Sequence, residues 1–213
     1  MVEPRLSFSS RGPQRIPRFR RYTVTPNTPR AGIEFLDLTG IEVQKRCAGP
    51  PVHKITVGAA VLRHSHDSQR DTQILLLKRN SHEKYYPNVF EMPGGKFNTG
   101  ENLRAALTRE VNEESGLVVS GILTPPATLS YTATKTAKSP MTGDEEVIHR
   151  YAQQFSYVVT IEGDGSESRV RQAEHSKGSW FGVSDLSNIP MTGEMRNLVV
   201  QALSENKDCT HNA

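Results

Sequence analysis

Cysteine is scarce: Cys47 and Cys209 are the two thiols in 213 residues. They lie far apart without metal-ligand spacing, which excludes a disulfide framework and a zinc site and fits a reducing compartment. Long apolar runs are lacking too. No stretch approaches the roughly 18 residues of a membrane helix, and the N-terminus has no apolar core of a secretory signal. No membrane partner is expected, and the expected location is cytoplasmic. Hydrophobic residues make up 35% of the chain, low for a fully packed domain, so part of the length belongs to tail or long loop. Acids are nearly missing from residues 1–30, where Glu3 faces Arg5, Arg11, Arg15, Arg18, Arg20, Arg21 and Arg30. Five prolines in that stretch (Pro4, Pro13, Pro17, Pro26, Pro29) oppose an amphipathic helix. The favoured reading is a disordered basic arm. A mitochondrial targeting segment and a substrate-contacting arm are the alternatives.

What is present after residue 30 is patterned. Residues 31–52 form a transition segment with an apolar patch at Ile33, Phe35, Leu36 and Leu38. Residues 53–205 hold the folded domain, and 206–213 a polar tail. Within the domain, residues 55–63 (ITVGAAVLR) and 73–79 (QILLLKR) predict strands, as do 89–92, 117–122, 127–134, 155–160 and 180–183. Residues 135–146 and 162–179 are polar and predict loops. Residues 101–115 predict a helix opened by Thr99 and Gly100 and stopped by Gly116, and 195–203 a second one. This order implies an α/β fold, a mixed sheet with helices on both faces.

The helix at 101–115 carries the chemistry. At about 100° per residue, Leu103, Ala106 and Leu107 share one face. The next residues on that face are Glu110, Glu113 and Glu114, where packing alone would place Leu or Ile. Ionised carboxylates on an apolar face need a compensating charge. Arg109 can pair with Glu113 at i,i+4, but one arginine cannot neutralise three glutamates and Glu101. A divalent cation can, and an all-oxygen ligand set favours Mg²⁺ or Mn²⁺ over zinc. The bland alternative is a solvated acidic face laced with ion pairs. The position on the apolar side and the Gly94-Gly95 turn before the helix argue against it.

The spacing Gly95-x5-Glu101-x7-Arg109-Glu110-Val111-x-Glu113-Glu114-x-Gly116-Leu117 resembles the Nudix box, with every defined position filled over residues 95–117. The lead-in Phe90-Glu91-Met92-Pro93-Gly94-Gly95-Lys96 and the later Glu174…Trp180-Phe181 are similar to those of many family members. The resemblance implies a Nudix-type α/β/α sandwich and a Mg²⁺-dependent pyrophosphohydrolase. It implies that Glu110, Glu113 and Glu114 hold the metal, with the Gly94 carbonyl as a further ligand. Arg109 would orient those acids and Glu101 support them, which makes Glu101, Arg109, Glu110 and Glu113 the catalytic set. Gly95 and Gly116 would have backbone roles, and Val111 and Leu117 fill aliphatic positions. Glu110 is the first choice for the base, with Glu145, Glu146 and Glu174 as later candidates. Lys78, Arg79 and Lys96 are candidates to meet phosphates, and Tyr86 to contact the rest of the substrate. The lead-in is the generic form and lacks the patterns expected of ADP-ribose, decapping or dinucleoside polyphosphate specialists. A nucleoside di- or triphosphate is therefore the default substrate, a prenyl or other small diphosphate the alternative, and a non-catalytic ligand sensor the rival of another class. A small molecule rather than nucleic acid is the expected partner, bound by a monomer or homodimer.

Overall fold

The computed structural model describes residues 35–47, 52–64, 72–123, 127–138, 145–171 and 173–206, with the backbone alone over 127–138 and 145–150. The basic arm at 1–30, most of the tail and Cys209 lie outside the described residues. The elements run α1 (Gly40–Arg46), β1 (Val52–His64), β2 (Thr72–Arg79), β3 (Phe90–Glu91), α2 (Leu103–Ser115), β4 (Val119–Ile122), β5 (Ala127–Lys138), β6 (Glu145–Ile161), β7 (His175–Phe181) and α3 (Gly193–Glu205). A 3₁₀ turn, Val183–Asn188, separates β7 from α3.

The sheet is mixed. β1 and β6 pair in parallel over Val52–Val61 and Tyr151–Val159, and the remaining pairs are antiparallel. β1 joins β2 only at its end, through Leu62↔Ile74 to His64↔Thr72. The two strands then diverge, and the chain after β3 fills the wedge. There Val57 donates to the Gly95 carbonyl at 2.9 Å and Ala59 to that of Pro93 at 2.8 Å. The glycine turn is thus stitched to the sheet before the chain enters α2.

Strand alternation splits the apolar side chains into two cores. Val57, Ala59, Val61, Leu75, Leu77, Phe155 and Tyr157 meet Leu103, Leu107 and Val111 of α2 on one face. Ala60, Leu62, Ile74, Leu76 and Val158 meet Leu198, Val199, Ala202 and Leu203 of α3 on the other. The result is the expected α/β/α sandwich. Each buried leucine of α2 contributes roughly 1.5–3 kcal/mol through burial, which holds the helix although it starts and ends with few charges suited to its dipole.

Several local expectations change. Within residues 31–52 the structure has a helix, α1, with a capping box between Thr39 and Glu42. Leu36 and Val43 join the core under α2, and the carbonyls of Leu36 and Leu38 accept from the amides of Arg104 and Leu103. Those amides open α2 and have no partner within the helix. The helix begins at Leu103 rather than 101, capped by the Asn102 side chain, which accepts from the Ala105 amide at 2.8 Å. Gly116 ends it in the left-handed region at φ 73°. Residues 135–138 and 145–146, expected as loop, are strand, because β5 and β6 pair from Ala127↔Ser156 to Lys138↔Glu145; 139–144 lie outside the described residues. The sequence there, rich in threonine, lysine and glutamate, has no apolar period that would announce the ladder.

Candidate active site

Residues of α2 that follow its apolar stripe meet the glycine turn. Arg109 is the hub. Its Nε donates to Oε1 of Glu101 at 2.9 Å and its Nη2 to Oε2 at 3.0 Å, a two-pronged pair. Its Nη1 lies 3.0 Å from Oε1 of Glu110 and 3.1 Å from Oε2 of Glu113. Its Nη2 also donates to the Lys96 carbonyl at 2.8 Å. The guanidinium beside Glu101 holds that carboxyl below the usual range, helped by the Asn98 amide. Glu110 is buried, and burial raises its pKa despite Arg109.

The turn explains its glycines. A Cβ on Gly95 would collide with the Glu110 carboxylate, and one on Gly94 with the Val57 carbonyl. Close approach, not an unusual φ, is the requirement at both. With the carbonyls of Pro93 and Gly95 engaged with β1, Gly94 turns its amide to Oε2 of Glu114 at 2.9 Å. Glu114 is pushed up to about 8, first by burial and then by neighbouring acids, against the opposing pull of His175 and the Gly94 amide.

Beneath Glu114 lies a second set of charges. His175 of β7 is 2% exposed, with Nε2 3.0 Å from Oε1 of Glu91 and Nδ1 3.7 Å from Oε1 of Glu114. Arg79 reaches the same Glu91 oxygen at 2.6 Å, Glu83 at 2.9 Å, and the Tyr85 carbonyl at 3.0 Å. Burial would lower the His175 pKa, but Glu91 and Glu114 outweigh it and raise it.

Charge decides what these groups can hold. Glu83, Glu91, Glu101, Glu110, Glu113 and Glu114 face two guanidiniums and one imidazole. Even with His175 protonated, negative charge is in excess around two buried carboxylates. An oxygen-seeking divalent cation fits that donor set and that deficit. Among the described residues no three acidic, histidine or cysteine side chains are already gathered as a metal cage. Arg109 holds Glu110 and Glu113, and the Gly94 amide holds Glu114.

A family model described as the NUDIX domain matches residues 53–201. The chain belongs to the Nudix family. A curated relative, the ADP-ribose pyrophosphatase of Methanocaldococcus jannaschii, is 38% identical over 50 residues, which is 24% of this chain and 28% of the relative. Among solved structures, the NUDIX domain of Shewanella oneidensis NrtR complexed with ADP ribose has a TM-score of 0.53 at 17% identity, covering 79% of this chain and 99% of that one. The MutT protein from Methanosarcina mazei Go1 has a TM-score of 0.51 at 19% identity, covering 72% and 95%. At these identities the two structures share the fold with this chain.

The structure brings Glu101, Arg109, Glu110, Glu113 and Glu114 of this Nudix box together beside Gly94. The other candidate residues scatter. Arg79 lies on the α2 face, its guanidinium engaged with Glu83 and Glu91. Lys78, by alternation, shares the α3 face with Leu76. Lys96 is exposed on the rim, next to Gly95. Tyr86 is half-buried at φ 50° in the loop that Arg79 braces. Glu145 and Glu146 begin β6, opposite Lys138 and Ala137, and their side chains lie outside the described residues. Glu174 is exposed, and its carbonyl accepts from the Asn80 amide at 2.9 Å. Sequence reasoning passed over Glu91 as part of a generic lead-in, and His175 entirely. The signal for His175 is hidden by a register shift in β7, whose pairing jumps from Lys78↔Lys177 to Arg79↔His175.

Proposed function

We propose that this Nudix hydrolase cleaves the phosphoanhydride bond of a nucleoside diphosphate-linked small molecule, with Mg²⁺ held by Glu110, Glu113 and Glu114 and by the Gly94 carbonyl. The observation that carries the reading is the carboxylate cluster on the apolar side of α2, only partly offset by Arg109 and His175 and pressed against the Gly94-Gly95 turn. When bound, the cation supplies a positive centre that offsets the charge of the diphosphate oxygens. The chain's own residues do the rest. Glu101 anchors Arg109 through two bonds, so Arg109 would stay in place with Glu110 and Glu113 holding the cation. Glu110 is the candidate for the base, because it is buried and pressed against the Gly94-Gly95 turn. Lys96, exposed beside the turn, would meet a phosphate there.

ADP-ribose is the first compound to test, because the archaeal relative is named for its hydrolysis. The sequence reading placed nucleoside di- and triphosphates ahead of it, so both belong in one panel with prenyl diphosphates. The experiment is Mg²⁺-supplemented hydrolysis across that panel by the wild type and Glu113→Gln. Expected is turnover of a nucleotide compound that falls by about two orders of magnitude or more in the variant, with an unchanged melting profile. Near-normal turnover in Glu113→Gln removes the metal assignment. Turnover confined to prenyl diphosphates removes the nucleotide one.

A further inference from the structure

We infer that His175 is a positioning residue for Glu114: it links that carboxylate to Glu91 and sets where its oxygens lie at the edge of α2. This rests on the proposed reading of Glu114 as a cation ligand and goes beyond it to what lies behind the ligand.

A β-bulge is the first observation. In β7, Gly178 pairs with Leu77 and Lys177 with Lys78, but the next pair is Arg79 with His175. Ser176 is the extra residue. Without it, alternation would put His175 on the face of Lys177, away from α2. With it, His175 turns to the face of Leu77 and Arg79, beneath Glu114. Bulges re-aim side chains in this way and are enriched beside active sites.

The surroundings of the imidazole are the second. It is 2% exposed, and its two nitrogens face two carboxylates from different elements, Glu91 of β3 and Glu114 of α2. Glu91 is itself fixed by Arg79 at 2.6 Å. The side chains of Arg79, Glu91, His175 and Glu114 thus form one charged line from β2 to the helix. A fold needs no such line: well-packed apolar side chains of equal volume serve stability as well or better. Residues behind a metal ligand, in contrast, fix its orientation.

The test is Mn²⁺ titration of the full chain, read from the electron paramagnetic resonance of free Mn²⁺, with melting of each metal-free protein. His175→Leu fills the volume without the charge, and His175→Asn keeps a polar group near the Nδ1 position, 3.7 Å from Glu114. Expected is that His175→Leu still folds, melting lower without metal because Glu91 and Glu114 lose their shared partner, and binds Mn²⁺ about 10–100-fold more weakly. His175→Asn should recover part of that affinity. Wild-type affinity in His175→Leu, alongside weakened binding in Glu113→Gln, overturns the inference and leaves the proposed function standing. Wild-type affinity in Glu113→Gln overturns both. If His175→Leu does not fold, Glu91→Gln decides: it keeps the volume and removes the charge facing the imidazole, and unchanged Mn²⁺ affinity there overturns the inference.

Discussion

Gly95 and Glu110 sit so close that neither can be understood alone. Any side chain on Gly95 enters the space of the Glu110 carboxylate, so Gly95→Ala must push Glu110 off its position or lift the turn from β1. A displacement of about 1 Å at a reacting group can cost roughly 100-fold in rate. Gly95→Ala is expected to lose about that factor in kcat while retaining the fold, measured by steady-state kinetics and melting; wild-type kcat would mean that the contact is irrelevant to turnover. Glu114 makes a second prediction. Its folded pKa, about 8, lies above the ordinary 4.5, so the folded state holds that proton more tightly than the unfolded chain. The stability it lends is complete below pH 4.5 and is lost as pH rises towards 8. His175, also raised, acts in the same direction above its ordinary 6.5. The metal-free protein should therefore melt at lower temperature at pH 8 than at pH 5. Added Mg²⁺ should raise the melting temperature more at pH 8, where the proton competes less for the carboxylate than at pH 5. A flat melting profile over this window, or an equal Mg²⁺ shift at both ends, would contradict the assignment.

Elements differ in how openly the sequence declares them, and α2 is the plainest. Its 3.6-residue stripe of Leu103, Ala106, Leu107 and Val111 continues into acids, and the structure buries the stripe and crowds the acids against the turn. Leu107 is fully buried, so Leu107→Ala should destabilise the domain by about 2–5 kcal/mol, measured by denaturant unfolding. A cost below about 0.5 kcal/mol would mean that the stripe is not the core contact. Residues 127–134 of β5 are legible as a strand, but its end (135–138) and the start of β6 (145–146) read as a loop, because strand pairing depends on a partner far along the chain and Lys, Thr and Glu on a ladder carry no apolar period. β7 was placed too late for a related reason. Only Trp180 and Phe181 stand out in His175–Phe181, and the bulge at Ser176 breaks the alternation from which the rest could have been inferred. The same break concealed His175. Periodicity reveals faces of regular elements; it is silent where a site depends on one residue out of step.

For the molecule as a whole, the residues of the proposed site come from a short span of chain, from Gly94 to Glu114, backed by Arg79, Glu91 and His175. α1 and the segment before it belong to the same body, since Leu36 and Val43 pack under α2 and the carbonyls of Leu36 and Leu38 cap its first amides. Truncation to residue 53, where the family match begins, would strip those partners from the helix that carries the acids. Truncation of residues 1–30 would not touch them. The arginines of that arm act on catalysis only if they reach the substrate as counter-charges, and such an effect is strongest at low ionic strength. Deleting residues 1–30 is therefore expected to leave kcat/KM within about twofold of the full chain in both low and high salt. Deletion through residue 47 should lower the melting temperature and activity together. A loss of kcat/KM on the shorter deletion that appears in low salt and fades in high salt would instead show the arm drawing the anionic substrate to the carboxylates of α2.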